Sequence, residues 1–202
     1  MPNESKTRAY TKRRRAESEA ETRQRIAAAA MRLHGTIGPA RTTISGVAEE
    51  AGVQRATVYR HFPDEEALFG ACSAHWVSVH PPPDAAAWAA VPDPDRRLRT
   101  GLAEIYAWYG SDEQMFVNTR RDAALVPAMA APVERTRAGL GAMVEVLAKG
   151  RPERGHRRRR ALAAIRHATA FGTWHSLTRE GGLSDDEAID LMLATVAAAA
   201  RR

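Results

Sequence analysis

The side chains with the clearest chemistry lie between residues 54 and 60, where hydrogen-bond donors alternate with small residues. Gln54, Arg55, Thr57 and Arg60 carry donors within seven positions. An arginine pairs with the two acceptors of guanine, and glutamine with those of adenine, along the major-groove edge. On a short helix, these side chains would present a donor-rich face to the edges of DNA bases.

Two short helices joined by a tight turn are needed to position that face. The pattern predicts a helix from Thr43 to Ala51, with Thr43 as its N-cap, and a second from Gln54 to Arg60. Gly52 lies between them, where a turn needs a positive φ that a side chain would penalise. This arrangement indicates a helix-turn-helix.

The charge distribution agrees with a polyanionic partner at the N-terminal end. Residues 1–62 hold 12 Lys/Arg and 6 Asp/Glu, whereas residues 63–202 hold 18 of each. The formal net charge of +6 therefore lies entirely in the first third of the chain. Such an asymmetry favours DNA as a partner.

The pattern Thr43-Ile44, Val47-Ala48, Ala51-Gly52-Val53, Thr57-Val58-Tyr59-Arg60-His61-Phe62 and Ala67-Leu68 resembles the DNA-binding signature of the TetR family. The resemblance is specific over about residues 23–69 and beyond them extends to helix number and order. It implies an all-α fold: an N-terminal three-helix helix-turn-helix domain, a linking helix, and a C-terminal helical domain for ligand sensing and dimerisation. It also implies a homodimeric repressor that binds double-stranded operator DNA at an inverted repeat.

The resemblance assigns DNA-binding roles position by position. It makes Thr43 a phosphate-contacting N-cap and Ser45 a base reader, and it places Arg55 and Ala56 at base edges. The remaining members of this predicted DNA-reading surface are Thr57, Tyr59, Arg60 and His61. Thr57 and Tyr59 match backbone and groove contacts, and His61 matches a phosphate contact. Glu65 stands where the family commonly has a phosphate-binding lysine, so that contact is expected to be lost or replaced.

Three domains follow from the pattern: a basic disordered arm over residues 1–18, a helix-turn-helix domain over 19–63, and a helical domain over 64–202. The run Lys12-Arg13-Arg14-Arg15 either enters a minor groove, lies along phosphates, or is a solvated tail. A proline-rich break at 80–83 is the clearest boundary.

In the second domain the pattern predicts a helix over Arg157–Arg179 and a last helix with Ile189, Met192, Leu193 and Val196 on one stripe. By the resemblance, these two helices form the dimer interface; monomer core is the alternative. An apolar effector pocket is expected among aromatic and sulfur side chains, although such a stripe also fits plain core. Its expected members are Trp76, Tyr106, Trp108, Phe116, Met143, Phe171 and Trp174.

Other function classes have little support. The chain has one cysteine and no phosphate-binding glycine loop, GxSxG elbow or paired metal-ligating histidines. We therefore expect no catalytic residue, no metal and no cofactor, in a soluble cytoplasmic protein. A ligand-independent architectural or nucleoid-associated DNA-binding dimer is the main alternative to a repressor that a small molecule releases.

Overall fold

The computed structural model describes residues 3–201, with the side chains of residue 10 and residues 12–201, and it contains no β-strand within that range. The expected all-α fold is therefore confirmed. The helices are α1 (Asn3–Thr36), α2 (Ile44–Glu50), α3 (Arg55–His61), α4 (Glu65–Val79), α5 (Ala85–Ala89), α6 (Pro94–Ser111), α7 (Glu113–Asp122), α8 (Ala130–Ala148), α9 (Gly155–Ala168), α10 (Phe171–His175) and α11 (Asp185–Arg201). Among these described helices, none has the length and apolar character that crossing a bilayer requires.

The helices form two compact units. Unit 1 comprises the residues up to Val79 together with Val117–Pro132, and unit 2 comprises His80–Phe116 together with the residues from Val133 onward. The sequence analysis assigns α4 to the second domain, whereas the structure groups it with unit 1 because α4 packs along α1. The chain passes between the units at the proline-rich segment, and helix α7 is divided between them.

The core of unit 1 holds the helix-turn-helix together. Ile26 and Ala30 of α1 are fully buried, as are Val47 of α2 and Val58 of α3. Burial of aliphatic side chains on one face of each helix leaves the opposite faces of α2 and α3 exposed. Gly52, in the turn between α2 and α3, has a φ of +66°, as expected. The turn therefore uses the left-handed conformation that glycine adopts without steric cost.

The N-terminal segment differs from the disordered arm expected over residues 1–18. From Asn3 onward, the described part of this segment belongs to α1. Arg13 pairs with Glu17 at 2.8 Å, and Arg15 with Glu19 at 3.3 Å, both at the i,i+4 spacing that stabilises helices. The expectation relied on the absence of apolar periodicity, but good helix formers and these pairs sustain a polar helix.

In unit 2, the single helix expected over Arg157–Arg179 is broken. α9 ends at Ala168, α10 begins at Phe171, and a π-helical turn follows over Ser176–Glu180. The hydroxyl of Tyr106 donates to the carbonyl of Ala168 at 2.9 Å, and Tyr109 donates to that of Thr169 at 2.7 Å. These bonds satisfy two carbonyls that a continuous helix would have paired itself.

The apolar stripe of α11 lies mainly within unit 2. Ile189, Met192 and Val196 are buried, and Leu193 is half-buried. α11 packs against α9 and α6 in this unit. The stripe that suggested a dimer interface therefore belongs to the core of a single chain, which is the alternative that the sequence analysis left open.

Candidate nucleic-acid interface and aromatic cluster

Helix α2 begins at a side-chain cap. Thr43 has an extended backbone, and its hydroxyl accepts a 3.1 Å hydrogen bond from the N–H of Gly46. The expected N-cap is therefore present, and it satisfies a helix N–H group that would otherwise lack a partner. Thr43 and Ser45 are both exposed, so the start of α2 is accessible to a phosphate or a base.

Helix α3 is buried on one side and exposed on the other. Val58 is fully buried, whereas Arg55, Ala56 and Arg60 are exposed and Tyr59 is 48% exposed. Thr57 is half-buried. The ring and hydroxyl of Tyr59 are therefore accessible to another molecule. The structure thus places Arg55, Tyr59 and Arg60, three members of the predicted DNA-reading surface, on the solvent side of α3.

His61, at the end of α3, is only half-buried, but its Nε2 is shielded from solvent and lacks a hydrogen-bond partner within the described chain. A phosphate contact from this side chain would therefore use Nδ1. At the start of α4, Glu65 is exposed and Asp64 accepts a 2.7 Å bond from the N–H of Ala67. Glu65 suits the helix dipole there but supplies no positive charge.

Arg23 of α1 contacts the end of α3, and the sequence analysis did not predict this contact. Its guanidinium donates to the carbonyl of His61 and lies 4.2 Å from the ring centre of Phe62. This is a cation–π arrangement on a buried ring. The partners are 38 residues apart, so no local pattern could have revealed the contact.

Three polar side chains of α7 hold the connection between α1 and α2. Asn118 is buried and donates to the carbonyls of His34 and Gly35 at 2.9 and 3.0 Å. Asp122 is buried and accepts from the N–H of Ala40 at 3.0 Å, and Arg121 pairs with it at 2.6 Å. Hydrogen bonds from the Arg121 side chain lower the pKa of Asp122. We call Asn118, Arg121 and Asp122 the α7 clamp.

Cys72 and His34 form a buried pair that resembles a nucleophile with its base. The sulfur lies 3.5 Å from Nδ1 of His34, and the imidazole stacks on Phe69 at 4.6 Å. Burial raises the pKa of the Cys72 thiol to about 12 and lowers the pKa of His34 to about 4. A nucleophilic pair requires the opposite shifts, so both groups are neutral core residues at pH 7.

Five of the aromatic rings in unit 2 form a cluster in which each ring packs on others. The aromatic cluster consists of Trp108, Tyr109, Phe116, Phe171 and Trp174. Phe116 lies 4.9 Å from Trp108, 5.0 Å from Tyr109 and 5.3 Å from Phe171, measured between ring centres. Phe116 and Phe171 are half-buried, whereas Tyr109 and Trp174 are fully buried.

The other expected pocket residues have different surroundings. Tyr106 is fully buried beside the cluster and bonds to the break after α9, and Met143 is buried on α8. Trp76 is half-buried on α4, which belongs to unit 1. Burial raises the pKa of both Tyr106 and Tyr109, so their hydroxyls remain donors.

One side of the aromatic cluster is polar. Arg179 lies 4.7 Å from the ring centre of Trp174 and donates to Glu113 at 2.9 Å. The Nε2 of His175 lies 3.6 Å from the same carboxylate, and the indole of Trp174 donates to Asp185 at 2.8 Å. Glu113 and Phe116 are both on α7, so one helix contributes to the aromatic cluster and to the α7 clamp.

Comparison with known proteins identifies the helix-turn-helix. Residues 26–72 match the model of the family described as bacterial regulatory proteins, tetR family. This match runs from the buried part of α1 through α2 and α3 into α4. No curated protein matches the chain.

Solved structures share the fold at low sequence identity. A TetR-like transcriptional regulator from Rhodococcus sp. RHA1 superposes with a TM-score of 0.61 at 18% identity, over 87% of this chain and 93% of that one. A TetR regulator from Haloarcula marismortui superposes with a TM-score of 0.59 at 17% sequence identity, over 90% of this chain and 97% of that one. NalD of Pseudomonas aeruginosa is described as the secondary repressor of the MexAB-OprM multidrug efflux pump. It superposes with a TM-score of 0.58 at 22% sequence identity, over 90% of this chain and 96% of that one.

The matched segment contains the N-capped α2, the glycine turn and the exposed face of α3, and the solved structures share the fold of nearly the whole chain. Residues 26–72 therefore form a DNA-binding helix-turn-helix of the tetR family of bacterial regulatory proteins, and the chain as a whole has the fold of TetR-like regulators.

Proposed function

We propose that the protein is a homodimeric repressor that binds an inverted-repeat operator and is released from it by a small, largely apolar effector. The observation that carries the proposal is the exposed face of α3, on which Arg55, Tyr59 and Arg60 are accessible beside the N-cap of α2. Arg55 reads a base, because a bidentate arginine is the commonest specific contact to guanine. Thr43, Thr57 and His61 contact phosphates.

The dimer uses α9 and α11, but a face of α11 other than its buried stripe. Leu191 is 44% exposed, and Ala194, Thr195 and Ala198 are exposed at helical spacing beside it. This face is apolar or small, which lets two helices approach closely across a two-fold axis. Light scattering should give twice the chain mass of 22.1 kDa. Leu191→Asp should produce monomers, whereas Ala163→Asp, on an exposed position of α9, tests whether that helix contributes.

The aromatic cluster is the effector site of this proposal. Its half-buried members, Phe116 and Phe171, stack on one another at 5.3 Å and would separate to admit a planar apolar molecule. NalD, one of the solved neighbours, is described as a repressor. The mutual packing of the rings also supports a second candidate, an architectural DNA-binding dimer without an effector, since rings that fill each other's space form a core.

Helix α7 links the effector site to DNA binding. The linking helix that the resemblance implies is α4, but the structure groups all of α4 with unit 1. α7 contains Phe116 of the aromatic cluster and, within two turns, Asn118 and Asp122 of the α7 clamp. An effector that displaces Phe116 would shift the clamp and thereby the segment that leads into α2.

The test is selection of bound sequences from a random duplex library, with footprinting of the selected DNA. An operator-binding dimer should select an inverted repeat whose half-sites lie about one helical turn apart. Recovery of duplexes without a shared sequence would favour the architectural candidate. If no compound in a diverse aromatic library releases the selected DNA, the architectural candidate is favoured as well.

A further inference from the structure

The N-terminal part of α1 extends beyond the core of unit 1. Ile26 is the first buried residue of the described chain; before it, Thr22 is half-buried and the other described side chains are exposed. Residues 10–21 therefore form more than three helical turns, about 18 Å at 1.5 Å per residue. A helix that is polar on all sides gains no stability from packing, so a contact outside the unit would stabilise it.

The extension leaves unit 1 at the end of the reading helix. At the other end of α1, Asn118 of the α7 clamp bonds to the carbonyls of His34 and Gly35. Near Ile26, Arg23 contacts His61 and Phe62, the last residues of α3. Moving toward the N-terminus, α1 thus passes from the α7 clamp to the end of α3 and continues beyond it.

The two sides of the extension differ in charge. On a helical wheel of about 100° per residue, Lys12 is in line with the buried Ala30, and Arg15 and Arg23 lie on the same side. Within residues 12–23, that side carries Lys12, Arg15, Arg23 and Glu19, a net charge of +2. The opposite side carries Arg13, Arg14, Glu17 and Glu21 and is neutral. The positive side is the one that meets α3 at Arg23.

We propose that the extension, residues 10–23 of α1, is a second DNA-binding element whose Lys12 and Arg15 side contacts backbone phosphates next to the groove entered by α3. The inference rests on DNA binding through α3 and adds a contact that reads no base. Because each neutralised phosphate releases condensed counterions, this element increases affinity and its salt dependence equally for all sequences. It also compensates for Glu65, which stands where a phosphate-binding lysine is common.

The test compares two charge-matched variants of the full-length protein. Lys12→Ala/Arg15→Ala removes two cations from the positive side, and Arg13→Ala/Arg14→Ala removes two from the neutral side of the same turns. Binding to a fluorescent random-sequence duplex is measured by anisotropy between about 50 and 200 mM salt. The slope of log K against log salt should fall by about 1–2 units in the first variant and by less than about half a unit in the control.

Equal loss of slope in the two variants would overturn the proposal, because the segment would then act as a charged tail without a defined face. Unchanged slopes in both would overturn it as well and would show that the extension is solvated. If the unaltered protein fails to bind the duplex even at low salt, the assignment of α3 as a DNA-reading helix fails instead. All side chains changed here are exposed, so circular dichroism should show the same melting temperature for the three proteins.

Discussion

The hydroxyl of Tyr109 donates a 2.7 Å hydrogen bond to the backbone carbonyl of Thr169, at the point where α9 ends. Both groups are buried, and the Tyr109 ring also packs on four others of the aromatic cluster. One side chain of α6 therefore shapes the break in the backbone and the site proposed for the effector.

Tyr109→Phe should destabilise unit 2 by about 1–3 kcal/mol, because the ring is retained while a buried carbonyl loses its donor. Chemical denaturation followed by tryptophan fluorescence measures the change. Tyr59→Phe is the matched control, since the Tyr59 ring is 48% exposed and its hydroxyl has no structural role in unit 2. Equal stability of the two variants would contradict a structural role for the Tyr109 bond.

Gly38→Ala should disrupt unit 1 more than Gly52→Ala. Both glycines have a positive φ, which costs about 1–2 kcal/mol for any residue with a Cβ. A Cβ at Gly38 would also lie 2.6 Å from Oδ2 of Asp122 and against the Arg121 guanidinium, whereas Gly52 has open space. Thermal melts should therefore rank the variants in this order, and the reverse order would show that the α7 clamp is dispensable.

The stability of unit 1 should fall as the pH is lowered through the titration of His34. Burial lowers the pKa of His34 in the folded state from 6.5 to about 4, so the unfolded chain binds the extra proton first. Above pH 6.5 the imidazole is neutral in both states and does not lower the free energy of unfolding. Between pH 6.5 and 4 the free energy of unfolding falls by about 3 kcal/mol, because only the unfolded chain is protonated there.

His34→Gln should abolish most of this acid-dependent loss, which urea titrations at a series of pH values would measure. Asp122 contributes in a lower range, because its pKa is depressed: its stabilisation is lost only as the pH falls below the ordinary range of aspartate. An unchanged pH profile in His34→Gln would show that the pKa of His34 is the same in the folded and unfolded protein.

Arg55→Ala should weaken binding to the selected operator by about 1–3 kcal/mol per half-site and relax the preference at one base position. Anisotropy titrations against operators altered at each position measure both effects. Tyr59→Phe should keep the sequence preference and weaken binding modestly. Uniform weakening by Arg55→Ala on every sequence would instead place this guanidinium on a phosphate.

Effector and operator should oppose each other's binding by the same factor, because linkage makes coupling reciprocal. A compound that releases selected DNA is titrated into the protein with and without operator, and the two affinities should differ by about 5–150-fold. Asn118→Ala, which removes the bonds from α7 to the end of α1, should leave effector affinity intact and reduce this ratio. Equal affinities in the unaltered protein would remove the coupling and favour the architectural candidate.

Local patterns were sufficient for the helix-turn-helix, because its determinants are short in range. The cap of Thr43 acts on a residue three positions away, Gly52 adopts a positive φ without any distant contact, and the alternation of Val58 with exposed donors follows helical geometry. The same holds for the all-α fold, since amphipathic periodicity and capping operate within a few turns.

Only tertiary structure decided where helices break, what the stripes contact and which distant residues meet within each unit. The hydroxyls of Tyr106 and Tyr109, about 60 residues away in sequence, satisfy the carbonyls at the end of α9 and so permit a break that the periodicity did not reveal. The stripe of α11 is equally compatible with a dimer interface and with the core where it is buried. Contacts such as Asn118 with His34, or Arg23 with His61, form only when segments far apart in sequence meet. A local sequence pattern therefore does not predict them.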